Sequence, residues 1–175
     1  HKFGNLRISG LHIHIGSQIT SSGPFVAAIG KAARFIEGLK RQGIALECLN
    51  IGGGLGIVYD DERPQTAQRF ASKVLPLLKR TGLKVILEPG RFIVGNAGIL
   101  IARVLYVKAT PLKRFIIVDA GMNDLIRPAL YGAYHQILPL RNTEYGIRNT
   151  EPVDVVGPIC ESGDFFAKDR RLAAV

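Results

Sequence analysis

No apolar stretch in this sequence is long enough to span a bilayer, which excludes a membrane-spanning helix. The opening decapeptide HKFGNLRISG has no apolar core of the kind a secretion signal needs. It also lacks an initiator methionine, so the chain is expected to start inside a longer protein. Repeats and low-complexity segments are absent. Neither the dinucleotide nor the Walker glycine pattern occurs. Cysteine is scarce: Cys48 and Cys160 lie far apart, and a reduced, cytoplasmic protein is the simpler expectation than a disulfide-stapled one. Acids are short as well, with 14 Asp and Glu against 23 Lys and Arg, a formal charge of +9. The cations are scattered singly or in pairs, and the densest run, Lys168 to Arg171, contains Asp169. That pattern reads as a basic solvated surface, with some cations serving anionic small molecules, and not as a nucleic-acid partner's footprint.

What is present is a globular composition, 47% hydrophobic over 175 residues, enough for one domain or parts of two. Leu11 to Ile15 alternates apolar residues with His12 and His14, a strand with both histidines on one face. A helix is predicted next, capped by Ser21 or Ser22, with Pro24 in its first turn and Gly43 at its end. Phe25, Ile29, Ala32, Ile36 and Leu39 form its buried stripe. Ile44 to Ile51 reads as a buried strand feeding Gly52-Gly53-Gly54. A second helix is predicted from near Pro64 to Thr81, with Phe70, Val74 and Leu77 inward and Pro76 kinking or splitting it. Val85 to Leu87 is a third strand, ending at Glu88-Pro89-Gly90-Arg91. Strand, helix, strand, helix, strand is the repeat of a parallel α/β fold, and in (β/α)8 barrels the chemistry sits on loops after the strands. The later sequence changes character: Ile99 to Val107, Phe115 to Asp119, His135 to Leu140 and Pro152 to Val156 read as strands without a strong helix between them. The expected division is an α/β part over 1–95 and a mostly β part over 96–175.

Each loop carries residues with chemical potential and a plainer alternative. His14 could be a hydrogen-bonded histidine lining the sheet. His12 and His14 could form a metal dyad, although His1 and His135 are the only other histidines and more ligands are needed. Or His14 could lie flat on a cofactor ring while Ser17 reaches a phosphate. The Gly52–Gly56 turn could merely reverse the chain, or bring amides close to an anion. Glu88 and Arg91 could form a local ion pair. Equally, the acid suits a pyridine nitrogen and the arginine a phosphate or carboxylate. Arg127 and Tyr131, one helical turn apart, could face one ligand or simply the solvent. Cys160, flanked by Glu161 and Gly163 in a polar loop, could donate a proton, whereas Cys48 in an apolar strand reads as structural.

The motifs GLHIHIGSQI, LNIGGGLGI, EPGRFIVGNAG, DAGMNDLIRPALYGAYH and VVGPICESGDFFAKDR, in that order, resemble diaminopimelate decarboxylases and, more loosely, the wider alanine-racemase-like group of decarboxylases. The resemblance covers nearly the whole chain. It implies the second part of a (β/α)8 barrel binding pyridoxal 5'-phosphate, followed by part of a mostly β domain, in a homodimer with shared active sites. It implies that His14 stacks on the cofactor ring, that Ser17, Gly53, Gly54, Gly90 and Arg91 hold the phosphate, and that Glu88 meets the pyridine nitrogen. Arg91, Arg127 and Tyr131 would recognise the far carboxylate of meso-diaminopimelate, Glu161 its far ammonium, and Cys160 would return a proton after carbon dioxide leaves. Relatives acting on ornithine or arginine, and a non-catalytic binding homologue, stand as alternatives. No lysine here matches the family's Schiff-base lysine, so the chain as given is expected to be inactive, with unpaired strand edges.

Overall fold

The computed structural model describes residues 4–140 and 150–173. The chain forms two compact units, His1–Gly98 and Ile99–Val175.

The first unit is built on three parallel strands in the order β1 (Gly10–His12), β2 (Cys48–Asn50) and β3 (Lys84–Ile86). Helix α1 (Gly23–Arg41) joins β1 to β2, and α2 (Ala67–Thr81) joins β2 to β3. Both helices bury one stripe against the sheet: Phe25, Ile29, Ala32 and Ile36 from α1, and Phe70, Val74 and Leu78 from α2, around Leu49, Ile51 and Leu55. Leu39 and Leu77, predicted for those stripes, are only half-buried. The Phe25 and Phe70 rings meet edge to face, with centroids 4.9 Å apart. α1 has Pro24 in its first turn but no side-chain cap, because the Ser22 hydroxyl bonds the Gln65 side chain instead. α2 is capped by Thr66, whose hydroxyl accepts the Arg69 amide at 3.2 Å, and ends at Gly82 with φ +66°.

Pro76 neither splits α2 nor ends it; the helix is continuous from Ala67 to Thr81. Pro76 lies on the exposed side, so the hydrogen bond it removes belongs to a carbonyl that water can reach, while the opposite stripe keeps the helix seated. The strands are shorter than their apolar runs, because each passes at once into an irregular loop. Pairing nevertheless reaches beyond them: the Ile13 amide bonds the Asn50 carbonyl at 2.9 Å, and the Glu88 amide the Gly52 carbonyl at 2.8 Å. A five-residue helix, α3 (Gly90–Val94), follows the Glu88-Pro89 turn.

The second unit is a four-stranded sheet in the order β4 (Val104–Ala109), β5 (Arg114–Val118), β6 (Thr150–Val156) and β7 (Phe165–Ala173). β4–β5 and β6–β7 are antiparallel and β5–β6 is parallel. The parallel pair demands a crossover, and α4 (Arg127–Tyr131) lies in it. The core gathers Ile116, Val118, Ala120, Val153, Val155, Phe166 and Ala167.

Two expectations need correction here. His135 to Leu140 forms no strand; the His135 carbonyl instead accepts the Arg170 guanidinium at 2.9 Å. β7 was not expected, because Lys168 to Arg171 reads as a charged surface run. The register shows how the strand accommodates it. Val153 pairs with Arg170 and Val155 with Ala167, so Asp154 faces two residues of β7, a bulge with Asp169 at φ +49°. The buried Asp154 carboxylate accepts the Asp169 amide at 2.8 Å and the Lys113 ammonium at 2.8 Å.

Candidate functional site

Because β1, β2 and β3 are parallel, their C-terminal ends share one edge of the sheet, and the three motif loops meet there. The glycine turn is the centre of the meeting. Gly52 and Gly54 have φ +70° and +95°, a region that side-chain-bearing residues rarely enter. A Cβ on Gly53 would overlap the Glu88 carbonyl oxygen, and one on Gly54 the Gly16 carbonyl oxygen. The glycines therefore serve packing first: three backbones approach one another too closely for any side chain. The Gly53 amide points at His14 Nδ1, 3.4 Å away. The Gly54 amide has no protein acceptor among the described residues.

Two amide side chains that the sequence analysis passed over hold the loops in place. Asn50 donates to Glu88 Oε1 at 2.6 Å and accepts the Gly52 amide at 2.8 Å, joining the acid to the glycine turn. Gln18, in the left-handed region at φ 58°, donates to the Ile57 carbonyl at 2.6 Å and accepts the Ile57 amide at 3.2 Å. Its Oε1 also accepts from Arg91 at 3.4 Å. Asn and Gln carry no motif signature by themselves; only the spatial meeting of the loops reveals them.

Glu88 and Arg91 do not form the local ion pair that their spacing allows. Among the described residues, the Glu88 carboxylate goes to Asn50 and lies 3.7 Å from His12 Nε2. The Arg91 guanidinium turns to Gln18 and lies 5.8 Å from the centre of the Tyr59 ring. An exposed carboxylate and a cation from one turn therefore face different partners, the carboxylate toward the glycine-turn loop through Asn50 and the cation toward Gln18. Ser17 is exposed beside them. The Gly90 amide donates to the Glu88 carbonyl at 2.8 Å, which shapes the turn that carries Arg91. No group of three or more His, Cys, Asp or Glu side chains converges as a metal site among the described residues.

The remaining candidates belong to the second unit. Arg127 and Tyr131 are the first and last residues of α4. Arg127 Nη1 lies 3.2 Å from His135 Nε2. Partial burial, then the Arg127 and Arg170 charges, hold the His135 imidazole below its ordinary value of 6.5, so its ring nitrogen is an acceptor at neutral pH. Tyr131 is exposed. Cys160 and Glu161 sit exposed in the loop between β6 and β7, and Cys160 is a free thiol. That loop and the segment after β5 are joined through Asp164, which accepts the Met122 and Ile159 amides at 2.6 and 2.7 Å.

Comparison with known proteins shows the family. The family described as pyridoxal-dependent decarboxylase, C-terminal sheet domain, matches residues 25–175. A diaminopimelate decarboxylase of Aquifex aeolicus is 50% identical over 175 residues, covering 99% of this chain and 41% of that protein. Among solved structures, a protein from Aquifex aeolicus superposes with a TM-score of 0.92 at 49% identity, over 98% of this chain and 42% of that one. The Helicobacter pylori diaminopimelate decarboxylase complexed with L-lysine gives a TM-score of 0.86 at 42% identity, over 95% of this chain and 41% of that one. The chain thus spans about 41% of the length of the curated relatives it matches. A family match over residues 25–175, with relatives of 40–50% identity along nearly the whole chain, shows that the chain belongs to the pyridoxal-dependent decarboxylase family.

Proposed function

We propose that this chain is the middle and later portion of a pyridoxal-phosphate-dependent decarboxylase that converts meso-2,6-diaminopimelate to L-lysine. Its first unit would be part of a (β/α)8 barrel, and the parent enzyme a cytoplasmic homodimer with shared active sites. The observation that carries the reading is the meeting of three strand-end loops, with Glu88 held by Asn50 and Arg91 turned away from it.

The donor set fits the cofactor. The open Gly54 amide, the Ser17 hydroxyl, the Gly53 turn and the Arg91 guanidinium would hold its phosphate. Gly90, which shapes the Glu88–Arg91 turn, would stand with them at the phosphate. Glu88 offers a carboxylate for the ring nitrogen, and His14 an imidazole for the ring face. When bound, pyridoxal phosphate supplies an electron-accepting ring that takes up the charge left by departing carbon dioxide. The Schiff-base lysine would lie in the part of the parent outside these 175 residues.

The chain's own residues account for the rest of the reaction. The substrate's far end carries a carboxylate and an ammonium. Arg127, Tyr131 and Arg91 would take the carboxylate and Glu161 the ammonium, placing opposite charges against opposite charges. A site with such charged partners strongly disfavours substrates that lack them, since its own groups would be left unpaired. The neutral His135 ring accepts from Arg127 and so fixes the direction of the guanidinium. Cys160, exposed beside Glu161, would deliver the proton from its Sγ to the carbon that lost carbon dioxide. The test is carbon dioxide release by the full-length parent. Release from diaminopimelate is expected; robust release from ornithine with none from diaminopimelate rejects the assignment.

A further inference from the structure

Asp164 is a buried carboxylate, 3% exposed, to which the reaction described above gives no task. Burying a carboxylate is costly unless its oxygens are hydrogen-bonded. Here Oδ1 accepts the Met122 amide at 2.6 Å and Oδ2 the Ile159 amide at 2.7 Å. Its backbone is engaged too: the Asp164 amide donates to the Glu161 carbonyl and the Gly157 amide to the Asp164 carbonyl, both at 3.0 Å. One residue therefore fastens both sides of the Gly157–Gly163 loop and ties it to the segment after β5.

The surroundings are shaped for that carboxylate. A Cβ on Gly157 would overlap its Oδ2, so glycine at 157 is what admits it. A Cβ on Gly121 would come 2.7 Å from Ile159 Cδ1, so the two segments pack with no slack. The chemistry also selects a carboxylate. Two amide donors on opposite oxygens need an acceptor-only group; an asparagine would accept from one and turn its own N–H2 toward the other.

We propose that Asp164 is a positioning residue: its carboxylate sets Cys160 and Glu161 in their working geometry and locks that loop to the segment that carries Arg127 and Tyr131. The chemical consequence rests on the decarboxylase reading; the clamp itself does not. Ile159 is the residue before Cys160, so releasing its amide displaces the thiol directly, whereas the anchor at Met122 stands further from Arg127. The effect therefore falls on turnover more than on substrate binding.

The test uses the full-length parent holoenzyme with Asp164→Asn. Displacing a reacting group by an ångström or less lowers kcat on the order of tenfold to a hundredfold, with KM changing by about threefold or less. Hydrogen–deuterium exchange should rise in residues 119–124 and 157–164 while β5 and β6 keep their protection. Gly157→Ala, which displaces the carboxylate without removing its charge, should reproduce both effects and serves if Asp164→Asn fails to fold. Wild-type kcat and exchange in both variants overturn the proposal. So does exchange rising evenly across the sheet with kcat falling only in proportion to the folded fraction. A wild-type parent with no activity on diaminopimelate overturns the decarboxylase reading instead, and the exchange measurement then still decides the clamp.

Discussion

At the scale of single residues, the two halves of the candidate chemistry separate by what each side chain can do. Cys160 is exposed and free, as a proton donor must be to reach substrate, whereas Cys48 is half-buried in β2 with its thiol 3.7 Å from the Ser9 carbonyl. Cys160→Ala in the parent enzyme should lower kcat on the order of a hundredfold with little change in substrate affinity, since a positioned proton donor contributes to the transition state alone. Steady-state kinetics check this, and an unchanged kcat removes the role. Arg127→Ala should do the opposite and mainly raise KM. A charged hydrogen bond is worth about 1.5–3 kcal/mol, or roughly ten- to a hundredfold. Unaltered kinetics would rule out a substrate contact.

At the scale of elements, glycine and a bulge decide the local geometry. Gly53→Ala should abolish cofactor binding by the parent, because the added Cβ meets the Glu88 carbonyl and pushes β2's turn from β3's. Absorbance of the bound cofactor measures this, and full occupancy in the variant would show that the loops can part without loss. In the sheet unit, burial pushes the Asp154 carboxyl up, but the Lys113 hydrogen bond, the Asp169 amide and the Lys113 charge outweigh it and hold it below the ordinary value of 3.8. A depressed carboxyl stabilises the fold above its unfolded value and loses that contribution as pH falls through its folded one. Asp154→Asn should therefore cost on the order of 1–3 kcal/mol at neutral pH. In urea unfolding of the parent, the difference from wild type should shrink on acidification below 3.8, the ordinary value. A difference that stays constant with pH would show that the charge is irrelevant.

At the scale of the whole molecule, the first unit has three parallel strands with β1 and β3 as edges. Parallel sheets are normally covered and continuous. Large apolar residues such as Ile93 and Val94 also stand about two-thirds exposed. Both features fit the 41% share of its relatives' length that the chain spans. The 175 residues expressed alone should release no carbon dioxide from diaminopimelate, whereas the parent should; activity in the short chain would mean that the Schiff-base lysine is supplied from within it.

The sequence by itself determined much of this. Helical periodicity placed α1 and α2, because burying one stripe against a sheet leaves a spacing that can be read without coordinates. Ordered motifs named the family, because glycines and acids at strand ends are demanded by local backbone and ligand chemistry. Only the tertiary structure decided the rest. Pro76 is tolerated because its missing bond faces water, and β7 exists because a bulge and Asp154 absorb a charged run. Glu88 pairs with Asn50 and not with Arg91, and Asp164 holds two loops that are remote in sequence. Pro76 depends on which side of its helix the fold exposes, and the others on which groups meet across the fold; hydrogen bonds between residues 38 to 42 positions apart leave no periodic trace in the chain.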